Sequence, residues 1–415
     1  MDIRHIVVAL REHQKAAGKI LQEPCHPRHA TKRININQQR LLIQGVRGSG
    51  KTHTTLHALH AIGANAAYID LGDISLHALS ESDSQRLAEA VRMVYGSGID
   101  CLVADECTSI ACWETLLEAF SAEGIKTVAI ASGLALGDCK RDDDALITFY
   151  PLSFSEYCIW HGIDVSSDAP QRAERLRTAF AEYLRQGGFP ALQDKKRVKA
   201  AAAKIIDTII DTDILPCVRK SMADELDSIA RLLIANTATW INYRTVAEQQ
   251  GMRSEITVKK YIEIIKRSGL LYDLKRFAMM EKQRNVFETL YAADPALVAD
   301  DLQRKLETVT FMQLRRFCER HGYAMHYYAN RSAECNFALC VNRKMRTIIQ
   351  VIADYGEASA VKEKVAGLIA MTKATGSERL YIITDDAHDT IDVKGMHISV
   401  VPAYEFLSAH THLIV

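Results

Sequence analysis

The chain has 415 residues, of which 48% are apolar, with Lys+Arg and Asp+Glu both at 51. That length exceeds one ordinary hydrophobic core and predicts two or three domains, three being the expectation. The charge balance excludes a global positive field that would by itself draw the protein onto nucleic acid or an anionic membrane, so any such contact must come from a local patch.

At the N-terminus an apolar run of only about five residues precedes renewed charge, too short for a secretion signal or a membrane span. Ten cysteines occur without a CxxC pair or a zinc-type Cys/His spacing, and several, such as Cys101 and Cys340, sit in apolar strand-like runs. They read as buried thiols in a reducing compartment, and the expected location is the cytoplasm. Residues 1 to about 35 predict an amphipathic helix and a basic loop containing Pro24 and Pro27, leading to a strand at Arg40–Gln44. From there to about residue 150, the apolar runs AAYIDL, DCLVADE and TVAIAS alternate with helical stretches. This is the pattern of a parallel sheet covered by helices, an α/β three-layer domain.

After Pro151 the character changes. Residues 170–235 carry Ala, Leu, Arg, Glu and Asp at helical spacing, broken once at Gly187, Gly188 and Pro190, and predict a helical lid or connector. Residues 236–280 read as short helices followed by a strand pair. The remainder mixes helices with strands such as RTIIQVIAD, RLYIITD and HISVVPA, and no internal repeat is present.

One motif carries chemistry. LLIQGVRGSGKT is an apolar strand running into Gly45, followed by Gly50, Lys51 and Thr52 and then helix-forming sequence. Gly45, Gly48 and Gly50 allow a loop whose N–H groups, with those of Ser49 and His53, turn toward phosphates at a helix N-terminus. Lys51 is expected to reach the β- and γ-phosphates and Thr52 to ligate Mg²⁺, so the pattern predicts binding of ATP or GTP. The strand IDCLVADE ends in Asp105 and Glu106, at the sheet edge where ligands bind. Asp105 is expected to hold the Mg²⁺ water shell and Glu106 to polarise the attacking water, which predicts hydrolysis. Ser132, at the end of TVAIAS, is placed to bond the γ-phosphate or that water. Arg47, Lys140 and Arg141 are further candidates for charge at the transition state, against solvated surface positions.

Other constellations carry less. His53, His57 and His60 share one helix face, a geometry able to take a transition metal, but no carboxylate is evident beside them and a His-rich surface is the preferred reading. Cys107 and Cys112 lack a metal-type spacing. Asp142, Asp143 and Asp144 read as a solvated acidic loop. Tyr323, Tyr327 and Tyr328 with His321 and His326 read as core in preference to a base-stacking platform.

Several blocks resemble one known group, prokaryotic AAA-type P-loop ATPases close to the signal-transduction clade. These carry a winged helix and a C-terminal domain of unknown function with a restriction-endonuclease-like fold. The resemblance rests on GVRGSGKT, the Asp105-Glu106 pair followed by Trp113, the Ser132-Gly133 strand end, PLSFSEY (Pro151 to Tyr157) and YLRQGGFP (Tyr183 to Pro190), over roughly residues 38–195. PLSFSEY is the most family-specific of these, since general P-loop chemistry does not demand it; its plain reading is a structural corner. The resemblance implies ATP as the nucleotide and a division into an N-terminal helix and loop (1–35), ATPase core (36–160), helical lid (161–235), winged helix (236–284) and nuclease-like domain (285–415).

The stretch INYRTVAEQQGMRSEITVKKYIEIIKRSGLLYDLKRF is similar to the family's winged helix, with a turn at Gly251, a second helix from near Ser254 and a wing after Gly269. Between Arg244 and Arg284, ten basic residues face five acidic ones, a local excess of about +5 that makes DNA a possible partner through Lys259 and Lys260. A docked protein is the other expected partner. The resemblance also implies a nuclease metal site built from Asp, then an acidic residue and Lys on the next strand. Asn336, Gln350 and Ile352 stand there instead. Two neutral amides and an aliphatic chain do not make a divalent-ion pocket, so no nuclease activity is expected unless Glu334, Asp354 or Glu357 rebuilds one.

Overall fold

The computed structural model describes residues 1–165, 171–252, 254–277, 288–329, 334–342, 344–377 and 379–408. They divide into two compact units, Met1–Tyr150 with Arg267–Gly269, and Pro151–Lys266 with Leu270–Val415.

In the first unit, helix α1 (Ile3–Ile20) is capped by the Asp2 carboxylate, which accepts from the Arg4 N–H at 2.9 Å. The elements β1 (Arg40–Gly45), α2 (Lys51–Ala61), β2 (Ala66–Asp70), α3 (Ser84–Tyr95), β3 (Cys101–Asp105), α4 (Trp113–Ala122), β4 (Lys126–Ser132) and β5 (Ala145–Phe149) follow. The strands form a parallel sheet in the order β2-β3-β4-β1-β5. Both faces are covered, and alternate residues of one strand enter opposite cores. Leu42 packs with α1, α3 and α4 through Leu10, Val91 and Phe120, whereas Leu41 and Ile43 pack with Leu56 and Leu59 of α2. This double burial explains the unbroken apolar runs of these strands. Helix α1 shares a core with α3 and α4, so residues 1–35 pack as part of this unit.

Strand β5 escaped the sequence reading. ALITF is short and follows a 3₁₀ turn, Ala135–Cys139, where the other crossovers supply a helix. The acidic run before it is only partly solvated. Asp142 and Asp143 are exposed, but Asp144 is buried and paired with Arg40 at 2.7 Å. Arg40 also reaches Glu114 at 3.1 Å and lies over the Trp113 ring.

The second unit begins with α5 (Phe154–Trp160), α6 (Arg172–Gln186), α7 (Val198–Ile209) and α8 (Ala223–Ala235). PLSFSEY and YLRQGGFP meet here. Ser153 and Glu156 form a capping box at the start of α5: the Ser153 hydroxyl accepts from the Glu156 N–H, and the Glu156 carboxylate accepts from the Ser153 N–H. The Leu152 N–H donates to the Gly188 carbonyl at 2.7 Å, and the Tyr183 hydroxyl donates to the Leu152 carbonyl at 2.8 Å. A Cβ at Gly188 would lie 2.2 Å from the Leu152 oxygen, which is why the second glycine is required. The buried Asp294 carboxylate accepts from the Gly188 N–H at 2.6 Å and the Ala296 N–H at 2.9 Å.

Further along, β6 (Thr239–Ile241), α9 (Tyr243–Gln249), α10 (Glu255–Arg267), β7 (Leu271–Lys275) and β8 (Glu288–Ala292) build a three-stranded antiparallel sheet, β6-β8-β7, with two helices. Gly251 turns between the helices with φ of 65°, and the Ser254 hydroxyl accepts from the Thr257 N–H at the start of α10. The sheet extends past residue 284 to β8; Arg253 and residues 278–287 lie outside the described residues.

The chain ends in α11 (Leu302–His321), β9 (Ala324–Ala329), β10 (Glu334–Val341), β11 (Lys344–Ile352), α12 (Ala358–Thr375), β12 (Arg379–Thr384), β13 (Asp389–Val393), β14 (Met396–Pro402) and α13 (Ala403–Ser408). These strands form a mixed sheet, β13-β14-β12-β11-β10-β9. The three expected strands, β11, β12 and β14, are its parallel centre. Among the described residues no helix is long and apolar enough to cross a membrane.

Candidate nucleotide site

The loop between β1 and α2 is set by close packing. A Cβ at Gly45 would lie 2.0 Å from the Phe149 carbonyl oxygen of β5, so only glycine lets the strand leave the sheet there. Gly48 and Gly50 take φ of 80° and 91°, the left-handed region open to glycine at little cost. Lys51 opens α2 and is buried. Its ammonium donates to the carbonyls of Gly45 at 3.0 Å and Val46 at 3.1 Å, and to the Ser132 hydroxyl at 3.4 Å. The Ser49 hydroxyl is buried without a hydrogen-bond partner, an orphaned polar atom of the kind a bound oxyanion would satisfy.

Beside the loop, the Thr52 hydroxyl donates to Asp105 Oδ2 at 2.6 Å, and the Tyr68 hydroxyl to the same oxygen at 3.0 Å. The Glu106 N–H donates to Asp105 Oδ1 at 3.0 Å. All three donors are neutral, so burial pushes the Asp105 carboxyl upward, and the like charges of Glu106 and Asp70 add to the shift. A buried carboxylate with neutral donors and acidic neighbours is a donor set suited to a hard divalent cation. Glu106 holds a left-handed backbone, φ 45° and ψ 40°, unusual for a residue with a Cβ and typical of functional turns. Its carboxylate accepts from the Ser132 hydroxyl at 2.7 Å and pairs with Arg47 at 2.9 Å.

The ends of β1, β3 and β4 thus bring Lys51, Thr52, Asp105, Glu106 and Ser132 together, at the edge where parallel sheets bind ligands. Other candidates fall elsewhere. Arg141 pairs with Glu118 at 2.5 Å and Glu114 at 3.5 Å, both on α4, and Lys140 donates to the Arg141 carbonyl. The His53 imidazole turns to Glu23, 3.6 Å away, and to the His57 ring, leaving its backbone N–H as the group available to a phosphate.

Two contributors were missed in the sequence. Arg28, buried, donates to the Ser49 carbonyl at 2.9 Å and the Tyr150 carbonyl at 2.7 Å, bracing the loop from behind. Its only signal was its place in a basic Pro-containing segment. Tyr68, a strand tyrosine, gave none.

In the second unit, Lys259 and Lys260 are exposed on α10. Two of the local basic residues are paired within the fold: Lys266 lies within 4 Å of Glu263, Asp273 and Glu288, and Arg244 pairs with Glu248. Asn336 and Gln350 face each other across β10 and β11. Gln350 accepts from the Asn336 N–H at 3.2 Å and donates to the Glu334 carbonyl at 2.6 Å; Asn336 accepts from the Val351 N–H at 3.0 Å and Lys364 Nζ at 3.3 Å. Ile352 is in the apolar core, and Glu334, Asp354 and Glu357 are exposed. Tyr327 is buried and packs near Trp240.

A P-loop between β1 and α2 in a parallel sheet defines the first unit as a P-loop fold. In agreement, residues 37–158 match the family model described as AAA domain. Residues 177–307 match a second model, described as a domain of unknown function, DUF8612. No curated protein matches the chain. Similar solved structures include the Walker-type ATPase PABY2304 of Pyrococcus abyssi, at 12% identity and TM-score 0.41 over 66% of this chain and 95% of that one. The Holliday junction branch migration motor RuvB of Thermotoga maritima is 15% identical, with TM-score 0.28 over 66% and 91%. AMPPCP-bound DnaA from Aquifex aeolicus is 13% identical, with TM-score 0.22 over 61% and 88%.

Proposed function

We propose that the protein is a Mg²⁺-dependent, ATP-hydrolysing AAA-type molecular switch acting on a protein or DNA partner. The observation that carries this reading is the 2.6 Å bond from Thr52 to the buried Asp105, with Glu106 turned onto Ser132 beside it. Backbone N–H groups of Gly48 to His53, with Lys51, bind and orient the phosphates. Thr52 and Asp105 would hold Mg²⁺, which supplies positive charge to the phosphate oxygens when bound. Glu106 accepts a proton from water, the hydroxyl and N–H of Ser132 fix the orientation of its carboxylate, and Arg47 restrains its charge.

The two helices and small sheet of residues 239–292 are read as a winged helix, offering Lys259 and Lys260 to a partner. The sheet of residues 324–402 is read as a nuclease-like fold without nuclease activity. The cross-strand amide bonds of Asn336 and Gln350 support that second reading, and cleavage of DNA or RNA with Mg²⁺ or Mn²⁺ would refute it.

Steady-state ATP hydrolysis of the intact protein, Lys51→Ala and Glu106→Gln tests the main reading, with and without DNA. Turnover lost in both variants, with ATP still bound by Glu106→Gln, is the expected result. Tight binding without turnover in the intact protein would instead indicate a DNA-binding regulator or scaffold with structural nucleotide.

A further inference from the structure

The face of α2 that meets the loop after α1 carries a second cluster. His53 and His57 lie one turn apart, their ring centroids 4.5 Å from each other. The loop after α1 brings Cys25 to them, and the three side chains each offer a ligand atom within 4.8 Å of the others. Glu23 stands 3.6 Å from His53 Nε2. His60, the third histidine of the sequence pattern, is exposed and outside the cluster. The sequence could not show this, because the thiol and the carboxylate arrive from a separate segment.

The tautomer of His57 is also set by its surroundings. Its Nε2 lies 3.0 Å from the Ile20 carbonyl oxygen, which only accepts, so Nε2 carries the proton and Nδ1 presents its lone pair. A backbone carbonyl fixing the tautomer of an imidazole in this way is the usual support of a metal-binding histidine.

We infer that Cys25, His53 and His57 bind a borderline-soft divalent metal of the Zn²⁺ class, with Glu23 as the adjacent carboxylate for a fourth position. One thiolate and two imidazoles suit Zn²⁺ and disfavour Mg²⁺ or Ca²⁺, which require oxygen ligands. Tetrahedral Zn²⁺ needs neighbouring ligand atoms about 3.3–3.6 Å apart, so the observed spread closes by roughly an ångström of side-chain rotation. Binding releases the Cys25 thiol proton to solvent and involves no redox change. The ion would tie the loop that ends in Arg28 to the first turn of α2, bracing the phosphate loop from its outer side.

The test uses the full chain, reduced and stripped with chelator, without nucleotide or Mg²⁺. Titration with Zn²⁺ against a chromophoric competitor should give one tight equivalent, and Co²⁺ should show thiolate-to-metal charge-transfer absorption. Cys25→Ser and His57→Ala should each weaken Zn²⁺ binding by about 100-fold or more, while His60→Ala retains it. Zn²⁺ should also shield Cys25 of the unaltered protein from alkylation, a readout independent of whether a variant folds. No tight equivalent, affinity unchanged in Cys25→Ser, or alkylation at equal rates with and without Zn²⁺ would each overturn the inference.

Discussion

Replacing Gly188 by alanine tests the junction between PLSFSEY and YLRQGGFP. The added Cβ would lie 2.2 Å from the Leu152 carbonyl oxygen and 2.8 Å from the Leu152 nitrogen, so the two segments must separate by more than an ångström. That displacement breaks the 2.7 Å bond from the Leu152 N–H to the Gly188 carbonyl and disturbs Tyr183, which donates to the same Leu152. An unsatisfied buried backbone group costs about 1–3 kcal/mol and overpacking about as much again, giving roughly 2–6 kcal/mol. This is a large part of the ~5–15 kcal/mol stability of an ordinary domain. Urea unfolding followed by tryptophan emission, with Trp160 close to the junction, and amide exchange over residues 151–157 would measure it. Gly18→Ala is the control: it lies within α1 with nothing within 4 Å of the added Cβ, and should stabilise by about 0.5–1 kcal/mol. An unfolding midpoint and exchange pattern in Gly188→Ala equal to those of the unaltered protein would refute the reasoning.

Arg28→Ala should loosen the phosphate loop by removing two charge-assisted bonds, lowering nucleotide affinity about 10-fold or more in a binding isotherm with a non-hydrolysable ATP analogue. Arg28→Lys should restore little, since an ammonium cannot span both carbonyls as the guanidinium fork does. The Asp294 carboxyl is raised by burial to about 7, so the folded protein holds a proton that the unfolded chain releases. Stability contributed by that proton is full below pH ~4, declines by up to about 1.4 kcal/mol per pH unit, and is gone above pH ~7. Denaturant unfolding between those limits should show this fall in the unaltered protein and a flatter profile in Asp294→Asn; equal slopes would count against it.

The legible parts of the sequence were those where local pattern and burial coincide. Strands β1 to β4 are buried on both faces and so read as apolar runs, and the P-loop reads because phosphate binding demands glycines, Lys51 and Thr52 at fixed spacing. Strand β5 did not read, since no helix announces it. Pairings across sequence distance were also hidden: Arg40 with Asp144, Arg28 with the Ser49 carbonyl, Tyr68 with Asp105 and Cys25 with His57. Each joins a residue whose local context is ordinary to one far along the chain. A charge count over residues 244–284 likewise leaves out partners from beyond that stretch: Lys266 lies 3.2 Å from Glu288.

The amide pair of the C-terminal sheet offers a sharper distinction between ancestry and architecture. Gln350 is fully buried and Asn336 nearly so; the Gln350 amide donates and accepts within the sheet, and the Asn336 amide accepts from the Val351 N–H there and donates toward Glu307 of α11. The double change Asn336→Asp, Gln350→Glu replaces them with acceptors only, removes the donor to the Glu334 carbonyl, and places two carboxylates near Glu307, whose own carboxyl burial already pushes upward. Lys364 offsets one charge at most, so the variant should lose several kcal/mol at neutral pH, roughly the cost of breaking a buried network. If the frame descends from a metal-dependent nuclease, Mg²⁺ or Mn²⁺ should restore its melting temperature without moving that of the unaltered protein, because a cation would meet the acidic set such a site requires. Equal shifts in both proteins, or none in either, would identify the pair as a cross-strand clasp with no metal-site geometry behind it.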